Sequence, residues 1–235
     1  MTPWSEPGAS PGWRHRMRRA LAILIVMVVA ACGPDNGAGT TATLGPGADS
    51  PEGAVEELAA RLAAGDFVAA GSLAVPGQAV LASIAEGAAP TLIAESLENG
   101  DDEVAANFWT GFAQGVGETL TGELTIREAG TVTERGVEFS LVGVTPEGGV
   151  ERLIVTRDLD GQRVDLFASF GAGLAEGMIS PVELLLASSS PDARSILVAL
   201  QDVVPSLLVA ASDQTLSPEA VQRILQLIEV ITRVS

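Results

Sequence analysis

The chain has 235 residues, with 30 acids against 13 basic residues and a formal charge of −17. A surface that acidic repels nucleic acid and offers no polybasic attraction to anionic lipid. Every basic residue except His15 is Arg, Lys and Tyr are absent, and the one cysteine, Cys32, permits no intramolecular disulfide, so an exported domain would have to fold on its apolar core alone.

In chain order, a basic cluster of Arg14, Arg16, Arg18 and Arg19 comes first. An unbroken apolar run from Ala20 to Ala31 follows, and Val29-Ala30-Ala31-Cys32 closes it. A basic head, an apolar core and small residues at the end form the layout of a secretory signal. The run is too short to span a bilayer, which takes about 20 residues. Its tail resembles the lipobox of bacterial lipoproteins, in which a small residue precedes an invariant Cys. That resemblance implies that residues 1–31 are a cleaved signal peptide and that the Cys32 thiol carries a lipid. The protein would then be anchored to the cell membrane on its extracytoplasmic side. Cleavage before Cys32 would remove His15 and two of the three tryptophans, and leave 29 acids against 9 Arg, a net of −20. The mature chain would then hold no imidazole, free thiol, lysine amine or phenol. Ser-His-Asp and Cys-His nucleophile systems, Schiff-base lysines and His or Cys metal sites are thereby excluded. No cofactor is expected.

Residues 33–50 have almost no apolar content, so 32–50 reads as a flexible tether. Ser50-Pro51-Glu52 fits a helix start, with a hydroxyl N-cap, Pro at the first helical position and an acid at the positive end of the dipole. The same phrase recurs at Ser190-Pro191-Asp192 and Ser217-Pro218-Glu219, and Ser180-Pro181-Val182-Glu183 has capping-box spacing. A first helix over about 51–64 places Val55, Leu58, Ala59 and Leu62 on one face. Gly65 stops it, and Asp66 starts a short second helix through Phe67, Ala70 and Leu73. After the Pro76-Gly77 break, Val80, Leu81 and Ile84 suggest a third piece, and Leu92, Ile93 and Leu97 a fourth. A helix after Asn99-Gly100 spaces Val104, Phe108, Phe112 and Val116 by four and carries Trp109.

The period then changes to two. Leu120, Gly122, Leu124 and Ile126 alternate with polar residues, as do Val137, Phe139 and Leu141. A third run at about 149–157 holds Val150, Leu153, Ile154 and Val155. A fourth, after Asp158-Leu159-Asp160-Gly161, holds Val164, Leu166, Ala168 and Phe170. Alternating runs joined by short turns predict an antiparallel four-strand meander with a buried face. Helices are predicted again at about 174–187, 191–211 and 218–233.

Helix–Gly–Asp–helix at 51–74, a helix at 103–115 and a meander to Phe170 resemble the nuclear transport factor 2-like superfamily. The opening Ala54-Val55-Glu56-Glu57-Leu58 to Gly65-Asp66-Phe67 adds to the likeness, which covers residues 51–172. It implies an α+β cone in which a curved sheet wraps around helices. Residues 77–98 would be an insertion, and 173–235 a C-terminal helical extension with no counterpart in the minimal domain. The fold hosts enzymes, ligand carriers and interaction modules, so it assigns no function by itself.

In ketosteroid-isomerase-like members the cone holds an acidic base with Tyr or His partners. Asp165, expected on the last strand with Phe167 and Ser169 on its face, is the nearest equivalent. With no such partner and with Arg152, Arg157 and Arg163 nearby, a cross-strand ion pair is the simpler reading. Asp101-Asp102-Glu103 and Asp158-Leu159-Asp160-Gly161 could offer oxygen ligands to a cation, but they read as a helix start and a hairpin turn, so no metal site is assigned. The apolar segment 196–209 is expected to be buried. The expectation is a non-catalytic, lipid-anchored envelope protein that binds an apolar small molecule or an envelope protein, with Phe108, Trp109, Phe112, Phe139 and Phe170 bordering the ligand. The alternative is a carboxylate-dependent envelope enzyme.

Overall fold

The computed structural model describes residues 46–100, 103–120 and 122–233. The expected signal segment, Cys32, the expected tether up to residue 45, and Asp101 with Asp102 lie outside the described residues. The described chain is α+β, with nine α-helices and one four-stranded antiparallel sheet among these residues.

The N-terminal helices start and stop where their caps dictate. Helix α1 (Pro51–Ala64) begins with the Gly53 N–H donating to the Ser50 hydroxyl at 3.0 Å, and ends at Gly65 in the left-handed region. Its buried face is Ala54, Val55, Leu58, Ala59 and Leu62. Asp66 caps α2 (Phe67–Ser72) by accepting from the Ala69 N–H. Helix α3 (Gln78–Ala82) tightens into a 3-10 turn at Ser83–Glu86, and α4 (Pro90–Asn99) ends at Gly100. A second 3-10 turn, Glu103–Ala105, leads into α5 (Ala106–Leu120).

Strands β1 (Leu124–Glu134), β2 (Val137–Pro146), β3 (Arg152–Asp158) and β4 (Gln162–Val164) form a meander in sequence order. A bulge between Glu128 and Gly130 shifts the β1–β2 register. Because side chains alternate, Val142, Val144 and Ile154 turn one face to the main core, while Phe139 and Val155 turn the other to a small separate cluster. The outer edge of β4 is closed by two short stretches. Ala48 exchanges hydrogen bonds with Gln162, and Leu73 and Val75 bond Val164. Gly47 and Gly161 touch there: a Cβ on Gly161, at φ 103°, would stand 2.8 Å from the Gly47 backbone. Only two glycines let the strands approach that closely.

Four expectations are corrected. The alternating stretch 164–170 is strand only to Val164; the kinked helix α6 (Leu166–Ala187) begins there, so Asp165 caps a helix and Phe170, at φ −127° and ψ 15°, stands at its kink. The apolar residues of this stretch also fit a helical period through Leu166, Phe167, Phe170, Leu174 and Met178, and the Asp165 cap decides between the two. No helix starts at Ser180, because Pro181 lies inside α6, where burial of Met178, Val182 and Leu185 outweighs one lost backbone bond. The 191–211 segment is two helices, α7 (Pro191–Gln201) and α8 (Val204–Ala211), bent by 48° at Asp202-Val203. Pro205, with no N–H and a ring that would clash with the Gln201 carbonyl, explains the break. Strand β1 also starts later than the alternation suggested, since Leu120 ends α5.

Helix α9 (Pro218–Thr232), capped by Ser217, packs on α6 and α8. Helix α8 also covers the second face of the sheet, where Val209 meets the Phe139 cluster. Among the described helices α6 alone has the length and apolarity to cross a membrane, but Phe167, Ala175, Met178 and Val182 are fully enclosed in the core. Its close fit needs small residues: a Cβ on Gly177 would stand 2.8 Å from the Ala85 Cβ. Ile196, Leu200, Leu207, Ile224 and Leu227 join the same core as α1 and α5, so the C-terminal helices are an integral part of it.

Candidate functional site

Four of the five predicted ring residues come together. Phe108, Trp109 and Phe112 stack along α5 with centroids 5.3–5.5 Å apart, and Phe170 meets Phe112 edge to face at 4.8 Å. Phe108, Trp109 and Phe112 are buried, and edge-to-face contacts of this kind fill a core densely. Trp109 Nε1 is enclosed there with no hydrogen-bond partner. Phe139 stands apart on β2, in the small cluster with Val155 and Ala168, and its ring faces a different group, the Arg157 guanidinium, at 5.7 Å.

The structure builds a polar node around Asp165, which is fully buried. Helix α6 starts inside the protein, so the N–H groups of its first turn need internal acceptors. The Ala168 N–H donates to Asp165 Oδ1 at 2.9 Å, and the Leu166 N–H donates to Gln78 Oε1 at 2.6 Å. The Ser206 hydroxyl, from α8, donates to Asp165 Oδ2 at 2.7 Å. The Asp165 N–H and the Ser169 hydroxyl continue the pairing with Val155 beyond the end of β4. Burial pushes the Asp165 carboxyl above its ordinary range. The Ala168 N–H, the Ser206 hydroxyl, the Gln78 amide and the Arg157 charge oppose that shift in turn.

Arg157, at the end of β3, reaches Asp165 Oδ2 only at 3.7 Å. Its guanidinium donates no hydrogen bond among the described residues, and its Nε is buried without an acceptor. It lines a cleft of about 260 Å³ between the loop before α3, the end of α4 and the α7–α8 junction. Val75, Val80, Leu81, Leu97 and Val203 make its apolar walls, and Gln78, Ser96 and Asp202 add polar groups.

Of the other groups weighed in the sequence, Asp158 accepts from the Gly161 N–H within the β3–β4 turn. No three acids, histidines or cysteines among the described residues come together as a metal site. The ion pair read from the arginines near Asp165 is present through Arg157, while Arg163 instead donates to the Leu159 and Ser72 carbonyls. Sequence reasoning missed Gln78 and the cleft. An arginine two residues after the apolar run Leu153-Ile154-Val155 was the available signal; Gln78, after a Pro-Gly break, offered none. The chain matches no protein-family model, no curated protein and no solved structure.

Proposed function

We propose that this is a non-catalytic, lipid-anchored protein of the cell envelope that binds a small, largely apolar molecule in the cleft over Arg157. The carrying observation is the pairing of apolar walls with a half-buried guanidinium that is ion-paired to Asp165 at 3.7 Å but makes no hydrogen bond among the described residues. A binding site of this kind combines apolar lining with a few oriented polar groups. Both oxygens of Asp165 serve the α6 N-terminus and Ser206, which supports a structural role for it over that of a general base. The order of helices and meander over 51–172 supports a nuclear transport factor 2-like arrangement, with α6 bridging into the C-terminal helices. Attachment rests on Cys32 at the lipobox-like tail.

Native mass spectrometry of the protein purified from its own membrane tests the reading, since it reports bound small molecule and partner together. A retained small molecule that Ala199→Phe, on the cleft wall, abolishes supports it. A ligand that survives in that variant but is lost in Phe112→Trp moves the site to the ring cluster, and a retained protein alone makes this an interaction module.

A further inference from the structure

We infer that the cleft takes an apolar monocarboxylate, its carboxylate on Arg157 and its chain against Val80, Leu81, Leu97 and Val203; this rests on the binding role proposed above. Arg157 carries five N–H donors in a fixed fork, which matches the two oxygens of a carboxylate. Here the fork is held by an ion pair and a ring contact and makes no hydrogen bond among the described residues. The Phe139 ring faces it at 5.7 Å, the Asp165 carboxylate lies at 3.7 Å, and no acceptor meets the buried Nε. A carboxylate in the cleft would give the guanidinium the hydrogen-bond acceptor it lacks. Val80, Leu81, Leu97 and Val203 give a hydrocarbon body its wall, with Gln78, Ser96 and Asp202 between them.

Two features narrow the class. The volume of about 260 Å³ lies just below the ~300–1,000 Å³ of drug-sized sites, so the cleft covers a short chain, and a longer one would run out into solvent without further burial. Asp202 lines the same cleft and is exposed, so the second carboxylate of a diacid would meet a like charge.

The test is calorimetric titration of the full-length chain in a neutral detergent with hexanoate, hexanol and adipate. Hexanoate should bind saturably, with hexanol and adipate each weaker by roughly tenfold or more. Arg157→Lys, which keeps the charge beside Asp165 but loses the fork, should weaken hexanoate by roughly 10–100-fold. Ala199→Phe should abolish binding with an unchanged circular-dichroism spectrum, and Asp202→Asn should tighten it. Equal binding of hexanol and hexanoate, or no loss in a folded Arg157→Lys, would overturn the carboxylate and leave the cleft as an apolar site. Binding of none of the three overturns the carboxylate, and, with no small molecule retained in native mass spectrometry, the binding role as well.

Discussion

Asp165 shows how one residue can be read correctly for its partner and wrongly for its place. Its pairing with an arginine was visible in the local charge pattern. Its position at a helix start was not, because period-two spacing and an N-cap compete over the same residues. The raised carboxyl has a measurable consequence. Between the ordinary value of 3.8 and the higher folded value, the native state holds the proton more readily than the unfolded chain. The stability tied to this group is therefore complete below 3.8 and declines as pH rises through the folded value. Asp165→Asn keeps an acceptor for the Ala168 N–H but cannot ionise. It should flatten this dependence when urea midpoints are compared between about pH 4 and pH 7. A wild type that gains stability over that range relative to the Asn variant would contradict burial as the dominant cause.

At the scale of elements, caps and breakers explain most boundaries. The three Ser-Pro starts at 50, 190 and 217 each place a serine hydroxyl on an N–H three residues on. Pro205 likewise marks the α7–α8 break that a purely periodic reading ran through. Helix α6 is governed instead by contact. Its apolar surface is packed on the Ser83–Glu86 turn, α8 and α9, and Gly177 lets it lie against Ala85. Gly177→Val should force the two apart and cost about 1–3 kcal/mol, read from a urea transition, because a close-packed interface has no room for added carbons. An unchanged midpoint would mean that the interface is slack.

For the whole molecule, the C-terminal helices complete a continuous core. Each of Ile196, Leu200, Leu207, Ile224 and Leu227 contributes about 1.5–3 kcal/mol by burial, before ordering entropy is subtracted. A chain ending at Ser188 would uncover the α6 face of Leu174, Met178, Val182 and Leu185. It should bind a hydrophobic dye or aggregate; a monomer that still melts cooperatively at the full-length temperature would contradict this. Anchoring is tested separately. Cys32→Ala should abolish labelling by a fatty-acid analogue and leave the signal uncleaved, whereas a mature N-terminus at any residue other than Cys32 would refute lipidation there.

Local chemistry in the sequence was enough for the α+β class, the four-strand meander and the capped helices, since caps, turns and periodicity act over a few residues. It was not enough for residues 165–170 or for the site. The Leu166 N–H is satisfied by Gln78, 88 residues earlier, and Asp165 by Ser206, 41 residues later. Phe139 left the other rings because sheet pleating sends it to the opposite face. The cleft exists because α3, α4, β3 and the α7–α8 bend meet around one arginine. Such contacts join residues far apart in the chain, and no spacing rule along it encodes them, so only the packed structure decided them.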